Sequence, residues 1–564
     1  MTLLVLAMLA AAPVSQDTGY EQRLVAWGLS QHGRTLEPAP EGQRVEEILV
    51  AIEDVFSPTD PYPQFLNLLH TRTREPVVRR EVLLQVGDLW DPHRVLETER
   101  NLRRLFLLAV VKIVAVKGRE GGVAMLVVTK DKWSLRLSNS FTLIGSLLQF
   151  LQLQLIEVNF NGWGQQLAVN TTIRLDTFSV GQTFVERRLL NSRWYLGESA
   201  ALLFNRSTGA LEGTTGAVSF GQPIINLDPQ WGFMVDGSWN ARRRRVFRGA
   251  TIWQLPSPSG DVPFVYDVRE FASEATGTRS FGRQLKVDVS ASLGGYSRQY
   301  KPALVTGEQA DWLNANYLPR SENVTYLSAY VRAFPSDFRV LRNIDTFELS
   351  EDFQLGWVAQ GGARWAFPLP FAPSNFVELG ASLRYRFYRA DDLFTVTVAG
   401  ALRVRPGLET ANRRLAAEVS NYSPEFFGGR LVSRVLVDLK ANDLDNRQLL
   451  LGGSTGLRGA FPEQFTGSNM ILGNFEYRAR PIELWSNWLG VVLFYDVGSA
   501  FTATPSFTHT VGIGFRLLLP QLNREVLRVD FGFVVGGAIP GADRINASWG
   551  QVTDLRPDFL DQPL

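Results

Sequence analysis

Over about 430 residues, from Trp133 to the C-terminus, apolar side chains recur at every second position and almost nothing repeats with a helical period. Leu167, Val169, Thr171, Ile173 and Leu175 alternate with Ala168, Asn170, Thr172, Arg174 and Asp176. Val377, Leu379, Ala381, Leu383, Tyr385 and Phe387 alternate with Glu378, Gly380, Ser382, Arg384, Arg386 and Tyr388, and Leu527, Val529, Phe531 and Phe533 with Arg528, Asp530 and Gly532. Period two means extended strands with one apolar and one polar face. A soluble β-sandwich would bury the apolar faces, whereas a membrane barrel turns them to lipid and keeps charge in its lumen. Polar faces rich in Arg, Asp and Glu over so many strands favour the barrel. So do aromatic residues near strand ends: Trp194, Tyr195, Trp231, Trp253, Trp357, Trp485 and Trp488. At ~10 residues per strand plus connections, the region holds about 16 strands. The expected class is mainly β: a transmembrane antiparallel β-barrel over residues 132–564, preceded by one small α/β domain.

No internal run approaches the ~20 apolar residues of a membrane helix. The net charge of +1 gives no bias towards nucleic acid. The chain has no cysteine, hence no disulfide scaffold and no thiolate chemistry. His32, His70, His93 and His509 are scattered without ligand spacing, so neither a metal nor a cofactor is expected. Residues 1–15 read as an export signal, with an apolar run from Leu3 to Leu9 and Ala10-Ala11-Ala12 as a cleavage site. The alternative is a plain apolar N-terminus. Residues 16–43 read as a linker.

Residues 44–131 read as a compact unit. Val45–Ile52 is strand-like, and a helix is expected around Glu75 to Leu84. A second helix has Asp91 as N-cap and Pro92 at its first position, with Val95, Leu102 and Leu105 on one face and Arg100, Arg103 and Arg104 facing out. Val110–Val116 and Val123–Thr129 close the unit as a hairpin.

Near the C-terminus, Gly452-Gly453-Ser454-Thr455-Gly456-Leu457-Arg458-Gly459-Ala460-Phe461 crowds glycines around one arginine. A tightly bent backbone can deliver one guanidinium to a chosen place. Glu476 and Asp496 fall on polar strand faces and can receive it. This constellation resembles the signature of the BamA/TamA family of outer-membrane assembly and translocation barrels. There a (Val/Ile)-Arg-Gly-(Phe/Tyr) loop enters the lumen and its arginine meets acidic residues of neighbouring strands. The matching residues here are Leu457-Arg458-Gly459, then Ala460 and Phe461, with the aromatic one place later. The β-α-α-β-β order of residues 44–131 likewise resembles a POTRA domain.

The resemblance implies a non-enzymatic protein of the outer membrane, its POTRA domain in the periplasm, that inserts or translocates others. Its partners would be unfolded outer-membrane or secreted clients, outer-membrane lipid, and accessory periplasmic or lipoprotein partners. The rival is a passive pore or structural barrel. Two motifs have other readings. Gly452-Gly453-Ser454-Thr455-Gly456 matches the G-x-S-x-G elbow of hydrolases, though no helix is expected after it and only His509 lies downstream. Arg242-Arg243-Arg244-Arg245 reads as a clamp for anionic head groups or as a solvated strand end. The strand at Arg544 to Val552 is short and polar, which makes its pairing with the first strand the weakest in the barrel.

Overall fold

The computed structural model describes residues 19–56, 63–105, 107–144, 147–248, 251–446, 448–460, 464–484, 487–520, 526–536 and 544–549. Residues 1–15, expected to be an export signal, Phe461, Trp485 and the C-terminal tail lie outside the described residues. The chain forms two compact units, the first ending at Trp133 and including the later segment Phe338–Phe353.

In the first unit a three-stranded sheet has Val123–Asp131 in the centre, parallel to Val45–Glu53 and antiparallel to Leu108–Lys117. Apolar residues fill the central strand from Val123 to Val128, and the whole strand, including Lys130 and Asp131, is buried. Helix Pro92–Arg103 starts where its cap directs. The Asp91 carboxylate accepts the His93 and Arg94 amides at 2.9 and 3.5 Å. The preceding helix is shorter than expected, Glu75–Arg79.

Two expectations fail here. Residues 16–43 contain a helix, Gly19–His32, whose Leu24 is buried among Ala51, Val110, Leu126 and Val128 of the sheet. Gly28 lies so close that a Cβ there would sit 2.7 Å from Val128. Thr35 and Glu37 then hydrogen-bond to Lys117 and Ala115, covering the end of the outer strand. The helix lacks a clean apolar stripe, which is why it reads as linker. Arg100 and Arg103 are buried, not outward. Arg103 holds Asp352 through two 2.8 Å bonds, and Arg100 stacks 4.0 Å above Phe338. Both partners belong to Phe338–Phe353, more than 200 residues away, and local periodicity cannot anticipate them.

The second unit is a single antiparallel sheet that closes on itself, from Leu135–Ile144 to Arg544–Trp549 and back to the first strand. Among the described residues the ring has twenty strands, with Ile482–Leu484 continuing Asn469–Ala479. The expected count of about 16 is therefore too low. The cause is turn length. Strands Phe376–Arg389 and Asp392–Arg405 are joined by only Ala390 and Asp391, both at positive φ (51° and 64°), in a turn that carries no Asn-Gly signal.

The exposed face of each wall is the apolar one. In Phe376–Arg389, Leu379, Leu383 and Phe387 are 42, 52 and 40 % exposed, while Arg386 on the opposite face is 6 % exposed. Leu167, Val169, Leu415, Val435, Leu493 and Phe533 repeat this on other strands. A soluble fold would place these side chains inside; an exposed apolar belt of this extent fits a surface facing an apolar medium. No described helix is long and apolar enough to cross a membrane.

Candidate functional site

The connection between strands Gly429–Ala441 and Asn469–Ala479 folds inwards as a finger. Its stem is the short hairpin Leu449–Leu451 with Phe465–Gly467. A single 3-10 turn, Gly453–Thr455, reverses the chain. The Thr455 hydroxyl donates to the Gly452 carbonyl and accepts from its amide, both at 2.8 Å. Gly456 has φ 110°, and a Cβ there would strike Leu472 at 2.5 Å. Leu457 and Ala460 are buried with Leu436, Leu451 and Leu472, which anchors the finger by apolar contact on either side of Arg458.

Two paired strands supply the receptor. Asn474 and Glu476 lie two apart on Asn469–Ala479, opposite Asp496 and Phe494 on Asn487–Phe501, so the four side chains form an inward-facing square. Arg458, 2 % exposed, sits over it. Its Nε and Nη2 donate to the two Asp496 oxygens at 2.8 and 2.7 Å, a bidentate fork. Its Nη1 donates to Glu476, and its backbone amide to Asp496 at 3.1 Å. The guanidinium lies 3.7 Å from the centre of the Phe494 ring.

The structure thus brings Arg458, Glu476 and Asp496 together and buries Leu457 and Ala460 beside them. Apart from Gly459 of the motif, the other members of the cluster were not singled out from sequence. Asn474 bridges the Gly456 carbonyl and Asp496 at 2.5 and 2.8 Å. Arg478 binds the other Glu476 oxygen at 2.8 Å, and Arg516 binds Asp530 at 2.7 Å. Gly459, at φ 87°, meets the backbone of Gly532 so closely that a Cβ would lie 2.9 Å from the Gly532 carbonyl carbon. Gly512 leaves room for the Phe494 ring. Period two puts Asn474, Arg478, Arg516 and Gly532 on inward faces, but only the register says which of these positions meet the finger.

The arrangement holds a loop in place through a shared guanidinium. Ser454 lies in the three-residue turn rather than ahead of a helix, and His509 bonds the Tyr495 hydroxyl at 2.7 Å. Among the described residues no group of three or more His, Asp or Glu side chains could hold a metal ion.

Fold and site together define a large antiparallel barrel with an apolar exterior and a charged interior that receives an arginine-bearing finger. No protein-family model and no curated protein matches the chain. Among solved structures it is similar to BamA from Haemophilus ducreyi lacking POTRA domains 1–3, at 11 % identity and a TM-score of 0.36, covering 90 % of this chain and 85 % of that one. It is similar to CdiB from Escherichia coli at 11 % identity and a TM-score of 0.44, covering 95 % and 89 %. The FrpB iron transporter from Neisseria meningitidis is similar at 10 % identity and a TM-score of 0.38, covering 89 % and 92 %. At such scores the fold rests on the chain's own strand pairing.

Proposed function

We propose that the protein is an outer-membrane barrel that inserts or translocates other polypeptides in the manner of the BamA/TamA family, with residues 44–131 as a single periplasmic POTRA-like domain. The observation that carries this reading is the buried finger, whose one guanidinium is shared by Asp496 and Glu476 as in the family's signature. The apolar exterior supports the membrane location. Clients would add to the open edge of Leu108–Lys117, where unpaired backbone groups accept any extended peptide. Part of that edge is now held by Thr35 and Glu37, and the Ile113 amide by the Glu99 carboxylate at 2.7 Å, contacts that a client strand would displace. Outer-membrane lipid and accessory periplasmic or lipoprotein partners complete the reading, and it assigns no bond chemistry and no cofactor.

The second reading, a passive pore, is favoured by a lumenal cavity of about 740 Å³ whose lining includes Thr276, Ser290, Ser292, Ser328, Gly361 and Gly380. These small and hydroxylated side chains offer a solute little obstruction, while Tyr330, Arg364 and Arg414 in the same lining narrow and charge the passage. Depletion separates the two. Loss of an assembly factor lowers several other outer-membrane proteins together, whereas an unchanged outer-membrane proteome with altered solute permeability would establish the pore.

A further inference from the structure

The arginine run Arg242–Arg245 ends strand Trp231–Arg245, and alternation splits it between the two faces. Arg243 and Arg245 share a face with the exposed Trp231, Phe233 and Val235, and are already paired. Arg243 binds Asp267 at 2.9 Å, and Arg245 binds Glu212 and Asp176 at 2.7 and 3.0 Å. With these carboxylates in place, the outer half of the run has no call on lipid head groups.

Arg242 and Arg244 face inwards and line a lumenal cavity of about 660 Å³ together with Arg298. Among the described residues none of the three has a carboxylate ion-pair partner. The Arg242 Nε is buried without a hydrogen-bond partner, and Arg298 stacks 4.2 Å from the Tyr296 ring centre. Arg242 also lies in the repulsive field of Arg244 and Arg174. The one acid in the lining, Glu270, accepts from the Tyr300 hydroxyl at 2.6 Å and from Asn240 at 2.8 Å. Arg242 and Arg298 are half-buried and Arg244 is exposed; Glu270 draws on Arg242 and Glu322, opposite Arg298 on the next strand, on Arg298, so three guanidiniums in the lining against one engaged carboxylate leave the cavity with an excess of positive charge. Planar guanidiniums match the oxygen spacing of phosphate, and Tyr296, Tyr300 and Tyr317 give apolar faces for a ring. The volume falls within the ~300–1,000 Å³ of small-molecule sites.

We propose that this cavity binds a small organic phosphate, a phosphate group carried on a ring such as a sugar. The test is titration calorimetry of the full chain in detergent micelles at low salt with glucose 6-phosphate. Glucose and inorganic phosphate are controls, and phosphatidylglycerol vesicles are a separate arm for a lipid-borne phosphate. Glucose 6-phosphate should bind at one site, inorganic phosphate at least about tenfold more weakly, and glucose not at all. Losing one charge-assisted contact, in Arg242→Gln or Arg298→Gln, should weaken binding about tenfold or more. Glu270→Gln should tighten it, a gain that loss of folding cannot mimic. No heat with glucose 6-phosphate, or unchanged binding in the double arginine variant, would overturn the site. Equal affinity for inorganic phosphate would overturn the ring, and displacement by vesicles the free ligand.

Discussion

Arg458→Ala removes the side chain that forks onto Asp496, and the surrounding partners set the cost. Glu476 keeps Arg478 at 2.8 Å and has Arg516 at 3.8 Å, so it remains compensated. Among the described residues Asp496, fully buried, then keeps only neutral donors, the Asn474 amide at 2.8 Å and the backbone amide at position 458, 3.1 Å away in the native protein. One buried carboxylate is therefore stranded, and breaking a buried pair in this way costs roughly 3–5 kcal/mol. At about 1.4 kcal/mol per factor of ten, the docked state of the finger should lose a factor of roughly 100 to 3,000. Hydrogen–deuterium exchange in membranes reads this directly, as faster exchange over residues 452–460. Arg458→Lys restores the charge but not the fork and should recover only part of the protection. Asp496→Asn should cost less in the Arg458→Ala background than alone, because no charge is then left to strand. Unchanged exchange in Arg458→Ala would refute the reasoning outright.

Gly459→Ala should loosen the finger by about 1–3 kcal/mol, since it strains a positive φ and pushes on Gly532; wild-type protection over 452–460 would argue against the close packing. Deleting residues 19–131 should leave a barrel with heat-modifiable gel mobility, while Phe338–Phe353, deprived of Arg103 and Glu21, becomes protease-sensitive; a chain that never shifts on the gel would show that the barrel depends on the first unit. Glu351 accepts the Ile344, Asp345 and Thr346 amides, and burial, with Asp345 beside it, pushes its carboxyl up to about 8. That lies above the ~4.3 of a free glutamate, so this segment should be firmest at acid pH and lose stability as pH rises through about 8; proteolysis independent of pH would contradict it. A cysteine pair at Phe141 and Ala547, opposite each other across the closing strands, should crosslink and stop client insertion until reduced; full insertion by the crosslinked form would exclude lateral opening.

The strands were legible because a lipid-facing wall has to alternate, and a reader needs only the next residue but one. Their number was not, because turns such as Ala390-Asp391 lack the residues that usually mark them. Arg458, Glu476 and Asp496 could be picked out as one charge among glycines and two carboxylates on polar faces. Phe494, Asn474 and Gly532 could not, since aromatic, amide and glycine residues serve many inward positions and only the register says which face the finger. Helix Gly19–His32 and the buried Arg100 and Arg103 depend on distant chain and carry no local mark.

The placement of the finger gives the lock a consequence beyond its own stability. It is fastened to three strands: Asn469–Ala479 through Glu476, Asn487–Phe501 through Asp496, and Leu527–Gly536 through the Gly459–Gly532 backbone contact. The last of these carries the closing strand Arg544–Trp549, whose register with the first strand runs only from Arg544–Ile144 to Ala547–Phe141. Neighbouring strands Val265–Phe281 and Leu285–Pro302, by contrast, pair from Tyr266–Pro302 to Phe281–Val287. Among the described residues this short ladder therefore lies on the far side of Arg544–Trp549, the strand paired directly to the one that the finger braces from inside. Undocking the finger withdraws that brace from Leu527–Gly536. The lumenal ion cluster and the seam are in this way one strand apart, and an event that pulls Arg458 from Asp496 and Glu476 also withdraws Gly459 from Leu527–Gly536, the strand that carries the closing pair.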